Sequence, residues 1–294
     1  MGIRQSFFSR AFDFINIVLL FVVAAVTVIP FIYILAGSLS DPAELLKKGF
    51  ILFPTKFSLA AYKYIFSADT ILNSLRVTIF ITLMGTFVNL VFTSLTAYGL
   101  SRRGVDGRRV FMFMIVFSML FSGGMIPTFL VVKELGMIDS YAALFIPSAI
   151  SGFNLIVMKN FFQAIPYELE ESARIDGCND IGILFRIVLP LSMPALATFS
   201  LFYSVGHWNT FFGAIMYIND SSKWPIQVIL RQLVILNQSN GIGDSSAFEK
   251  DYVLPPPETI KMAVIIVSTL PIMLVYPFLQ KHFAKGVLLG SVKG

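Results

Sequence analysis

The chain is poor in the residues that most chemistry needs. Among 294 residues there is one cysteine, Cys178, and there are two histidines, His207 and His282. A single thiol excludes an intramolecular disulfide. No H-E-x-x-H pattern and no cysteine cluster offers a metal site, so none is expected. There is no G-x-x-x-x-G-K-[ST] loop to hold ATP phosphates. There is also no G-x-S-x-G to present a serine nucleophile, and no catalytic residue is assigned. Charge is scarce as well: 13% of residues are Asp, Glu, Lys or Arg, against roughly 25% in soluble domains. The long apolar runs hold almost no acids, so a proton or sodium relay has few groups to use. These absences argue against a membrane-embedded hydrolase or transferase, and against a transporter that powers itself.

What is present is apolar length. Hydrophobic residues make up 56% of the chain, the composition of an all-α polytopic membrane protein. At about 1.5 Å per helical residue, six segments can each cross a hydrocarbon core of roughly 30 Å. They are 14–36, 75–100, 110–132, 141–158, 195–218 and 262–279, read as one transmembrane domain over residues 1–294. The first is too long for a signal-peptide core of about 7–15 residues and is read as a retained span. Pro30 is its expected kink. Phe50 to Phe53 reads as interfacial. No short repeat or low-complexity segment interrupts the layout.

The net charge of +5 is spread among short loops, which is no nucleic-acid signature and suits a surface beside anionic lipid. Arg4 and Arg10 precede the first span, and Lys281, Lys285 and Lys293 follow the last. Four arginines lie within Ser101–Arg109. With six spans all of these fall on one side, which places both termini in the cytoplasm.

The polar segment 159–190 reads as a short helix, a tight turn and a second helix at the cytoplasmic surface. Pro166 suits a first helical turn, and Glu168, Glu170 and Glu171 suit the positive end of the helix dipole. Ile165, Leu169, Ser172, Ala173 and Asp176 follow three- and four-residue steps, which predicts one small or apolar face. Gly177 can end the helix in a left-handed conformation. Asn179 or Asp180 can cap the next helix through Ile181, Leu184, Phe185 and Leu189.

The spacing Glu171-Ser172-Ala173, Gly177, Ile187-x-Leu189-Pro190 resembles the cytoplasmic coupling loop of ABC importer permeases. The family pattern E-A-A-x-x-x-G, followed by I-x-L-P, is kept at full spacing. The departure is Ser172, which is small like the usual Ala. The tail, Gln280–Gly286 and Gly290–Gly294, together with Trp208-Asn209 and Asn73-Ser74-Leu75, is similar to the carbohydrate (maltose-transporter) subfamily. The resemblance covers essentially the whole chain. It implies a permease subunit of a bacterial inner-membrane importer that forms half of the pathway for an oligosaccharide. It also implies a second homologous permease, an ATPase dimer that alone binds ATP and magnesium, and an extracytoplasmic sugar-binding protein. The ATPase contact would fall to Glu170, Glu171, Ser172, Ala173, Asp176, Gly177, Leu189 and Pro190. The alternative reading is a secondary transporter or channel acting without an ATPase.

Polar residues cluster halfway along the fifth span. Ser200, Tyr203, Ser204 and His207 share a helix face, and Trp208 and Asn209 lie further round. Two readings stand. In one, Tyr203, His207, Trp208 and Asn209 make up the substrate-pathway region, with Tyr203 and His207 facing the sugar path and Asn209 locking the span to a neighbour. In the other, these groups join helices through hydrogen bonds.

Overall fold

A computed structural model describes residues 7–67, 69–102, 104–234 and 257–291. In chain order the elements begin with α1 (Phe7–Ser38), α2 (Pro42–Lys48), α3 (Ala60–Ser67) and α4 (Asp69–Ser101). Next come α5 (Arg108–Leu120), α6 (Met125–Glu134), α7 (Ala142–Phe145) and α8 (Gly152–Gln163). Then follow α9 (Tyr167–Ile175), α10 (Asp180–Ile183), a π turn (Leu184–Val188) and α11 (Leu189–Leu191). The series ends with α12 (Met193–Trp208), α13 (Phe212–Tyr217), α14 (Ile226–Val234) and α15 (Pro257–Ser291). The expected all-α fold is what forms. Among the described residues there is no strand, only an isolated bridge between Ser40 and Phe57.

The chain divides into two compact units. One comprises Met1–Asp69 with Leu233–Thr269, the other Thr70–Gln232 with Leu270–Gly294. In the first, α1 carries Pro30 inside an unbroken helix. Near its C-terminal end the Tyr33 ring stacks on Phe50 at 4.9 Å, and Leu45, Ile51 and Met262 form a small core. The Glu44 carboxylate accepts hydrogen bonds from the backbone of Thr55 and Lys56. The Thr55 hydroxyl first, then Lys48 and these backbone bonds, hold its pKa down to about 2.

In the second unit α4 is the spine. Val77 and Ile81 belong to one core, with Val132, Leu144, Ala214 and Tyr217. Ala97, Tyr98 and Leu100 belong to another, with Met158, Phe162, Ile183, Leu184 and Val188.

The apolar segments are not all single helices. α1, α4 and Glu258–Val275 of α15 are long and apolar enough to cross a membrane, and two bent pairs raise the count to as many as five. The segment expected at 110–132 is α5 and α6, bent by 118°. Gly123-Gly124 lies at the bend, with Gly124 at φ 89°, a conformation closed to most side chains. The segment expected at 141–158 is α7 and α8, separated by Ile146–Ser151, which includes Pro147. The segment expected at 195–218 is α12 and α13, parted at Asn209–Phe211. An 83° bend at Ser192 separates Asp180–Leu191 from α12.

Candidate functional site: the 166–190 elbow and the polar seam

The turn between α9 and α10 closes as a Schellman motif. Cys178 N–H donates to Ala173 O at 2.8 Å, and Gly177 N–H to Arg174 O at 3.0 Å. Gly177 sits at φ 82°, which an L side chain adopts at a cost of about 1–2 kcal/mol. Asn179 caps α10, its Oδ1 accepting from Gly182 N–H at 2.8 Å. Arg174 pairs with Asp180 across the turn at 2.7 Å. Both are exposed, so that bridge contributes less than about 1 kcal/mol.

The second arm widens before Pro190. Leu189 N–H reaches back five residues to Leu184 O. Proline offers no N–H to the carbonyl four residues earlier, and its ring crowds that carbonyl. A π turn relieves the crowding. Ile183, Leu184 and Val188 face inward and are fully buried. Leu189 packs against the same core, and Pro190 is exposed.

α9 is turned differently from the face predicted by its apolar steps. Leu169, Ser172 and Asp176 are exposed, and Ala173 packs inward beside Cys178. Glu170, expected at the docking surface, is 2% exposed. Its carboxylate is ion-paired with Arg102, just past the end of α4. Burial lowers the Arg102 guanidinium below its ordinary pKa. Glu171, Asp176 and Gly177 remain outside. Around them stand bare apolar side chains: Ile175 at 81% exposure, Ile181 at 68% and Phe185 at 59%. Acidic groups beside uncovered isoleucines at a polar elbow make a surface suited to a protein partner.

Inside the second unit a polar seam joins α4 to α12. The Tyr203 and Thr93 hydroxyls are hydrogen-bonded at 2.8 Å. His207 Nε2 is bonded to Asn89 Oδ1. Asn89 Nδ2 donates to Ser148 O at 2.6 Å and Ala149 O at 3.0 Å. Asn89 thus satisfies carbonyls freed by the break between α7 and α8, which a spanning segment has to do internally. Gly85 makes room for the ring: a Cβ there would lie 2.6 Å from His207. Trp208 is buried and lines an apolar cavity of about 290 Å³ with Thr82, Leu201 and Pro271.

The side-chain hydrogen bond of Asn209 does not reach the neighbouring helix that the expected lock would require. Asn209 is exposed and donates to Val205 O of its own helix at 2.9 Å. It lies past the last turn of α12, where its own helix supplies a nearer acceptor. Tyr203 and His207 make the inter-helix bonds instead. Arg102 and Asn89 were missed as functional candidates. Arg102 was read only as part of a basic loop, although Asn89, a lone amide deep in an apolar run, is a recognisable signal.

Comparison with known proteins identifies the family. The family described as "Binding-protein-dependent transport system inner membrane component" matches residues 89–289. The polygalacturonan/rhamnogalacturonan transport system permease protein YtcP of Bacillus subtilis (strain 168) is 61% identical over 288 residues, covering 97% of this chain and 99% of that protein. Protein LplC of the same organism is 57% identical, covering 97% of this chain and 96% of its own length. A chain from the crystal structure of a bacterial ABC transporter involved in the import of the acidic polysaccharide alginate superposes with a TM-score of 0.89. It is 35% identical, over 96% of this chain and 100% of that one. The chain belongs to the family of inner-membrane components of binding-protein-dependent transport systems.

Proposed function

We propose that this permease subunit forms half of the path for an oligosaccharide of acidic sugars. It is driven through residues 166–190 by a separate ATPase. The observation that carries the substrate class is the agreement of two of the most similar full-length matches. A full-length relative at 61% identity is named for polygalacturonan/rhamnogalacturonan, and a full-length structural match belongs to an alginate importer. The exposed elbow of Ile175, Glu171, Asp176 and Ile181 supports the coupling role. Family membership sets aside the secondary-transporter alternative.

On this reading the partners are a second homologous permease, an ATPase dimer that binds ATP and magnesium, and an extracytoplasmic sugar-binding protein. The chain itself holds no cofactor and catalyses no reaction. Six apolar segments cross the inner membrane, some of them broken, and both termini are cytoplasmic. Glu171, Ser172, Asp176, Gly177 and Pro190 face the ATPase, while Ala173 and Leu189 seat the elbow on its core.

The test is reconstitution of the complete transporter in proteoliposomes. Oligogalacturonides should stimulate ATP hydrolysis and accumulate inside, whereas neutral malto-oligosaccharides should do neither. Equal stimulation by both sugars would refute the acidic-sugar assignment.

A further inference from the structure

The Arg102–Glu170 pair has the geometry of a mechanical link. Most of α9 is turned outward: Leu169, Glu171, Ser172, Arg174 and Ile175 are all exposed, and Ala173 packs on the core. Glu170 is the one charged residue of α9 turned inward, and it meets a guanidinium that α4 holds from several sides. Arg102 lies over the Tyr98 ring, 4.2 Å from its centroid. Its Nε donates to Ser101 Oγ at 3.2 Å. Gln163 at the end of α8 donates to Ser101 O at 3.4 Å, tying that helix to the same point.

An exposed charge pair slips and exchanges with water at little cost. A buried pair does not, because parting it leaves an uncompensated charge in a poorly hydrated place. Arginine is suited to this post, since a planar guanidinium can lie on a ring and meet a carboxylate at once.

We propose that Arg102 and Glu170 form a clamp fastening the coupling helix α9 to the cytoplasmic end of α4. Displacement of the elbow is then delivered to α4 and the polar seam it carries. It is not absorbed in the connections flanking α9. Both residues are positioning residues, and Glu170 is withdrawn from the ATPase surface. The inference rests on the reading of 166–190 as the coupling element.

The experiment uses the complete transporter in proteoliposomes and reads sugar imported per ATP hydrolysed, per assembled complex. Glu170→Gln and Arg102→Gln should each keep the ATPase bound and lower that ratio by about fivefold or more. The reversed pair, Arg102→Glu with Glu170→Arg, should recover at least about half of the loss. A wild-type ratio in both single variants overturns the clamp. So does a reduced yield of complex whose surviving molecules keep the wild-type ratio, since that marks a merely structural pair. Should the single variants fail to assemble, Arg102→Lys decides. It keeps the charge but loses the fork and the ring contact, and it should lower the ratio by about twofold; an unchanged ratio again overturns the clamp. Ile175→Glu separates the two levels of the argument. Normal ATPase retention in that variant refutes the coupling reading itself, whereas lost retention there beside unchanged clamp variants refutes the clamp alone.

Discussion

Replacing Gly177 isolates the backbone of the elbow from everything around it. A Cβ at Gly177 would meet nothing within 4 Å, so a side chain there is not crowded by neighbours. The whole penalty comes from φ 82°. For valine it is at least about 1–2 kcal/mol. Asparagine visits this conformation far more readily. The exposed Arg174–Asp180 pair, worth less than about 1 kcal/mol, cannot offset the valine strain. About 1.4 kcal/mol is a tenfold change in an equilibrium constant, so Gly177→Val should lower the equilibrium constant for closing the turn by about tenfold. Ile183, Leu184 and Val188 stay buried beneath it, so the subunit should still insert. The assay is retention of the ATPase on the purified permease pair, with transport measured on the same samples. Gly177→Asn should stay within about twofold of wild type, and Gly177→Val should lose about tenfold. Equal behaviour of the two variants would refute the argument, because volume or polarity rather than backbone strain would then control docking.

Three further outcomes follow from the seam and the loops. Asn89→Leu should remove the amide bonds to Ser148 O, Ala149 O and His207. At about 0.6–1.7 kcal/mol per bond inside a membrane, the variant should show a clear fall in Tm by thermal denaturation in detergent. Tyr203→Phe loses only the bond to Thr93. It should cost roughly 0.6 kcal/mol and leave the sugar's apparent affinity unchanged in transport assays, which would not hold if the hydroxyl contacted sugar. Single cysteines at Asp106 and Ser221, in a Cys178→Ser background, should react with an impermeant maleimide from opposite sides of the membrane, Asp106 from the cytoplasm only.

The long helices were legible in the sequence because apolar length alone identifies α1, α4 and α15. Their interruptions were not. Hydropathy averaged over a span does not register where the backbone turns, so Gly123-Gly124 and the stretch around Pro147 passed as span interior. The Schellman turn was legible because Gly177 and Asn179 act locally. The orientation of α9 was not, since small and acidic residues are distributed round the helix and periodicity could not choose a side. The resemblance to the coupling loop puts Glu170 at the ATPase contact, and no local signal marks it as turned inward. Its partner Arg102 lies across α5 to α8 in sequence, and no local pattern announces a pair of that kind. Tyr203 and His207 were recognised as sharing a face, but the acceptors on α4 that decide their role are just as distant.

The wide turn at Leu184–Val188 bears on how such subunits can be recombined. A π turn accommodates one residue more than the α-helical path requires, and each helical residue advances the side-chain direction by about 100°. A hybrid permease spliced within Leu184–Pro190, with Pro190 replaced and no residue lost, would tend to straighten into ordinary α-helix. Everything on the N-terminal side, Gly177 included, would then swing by about 100° against the core that Val188 still holds. Exchange of elbows between related importers should therefore succeed with junctions before Pro166 and after Pro190. Junctions inside the turn should give subunits that insert normally and present the wrong side to their motor.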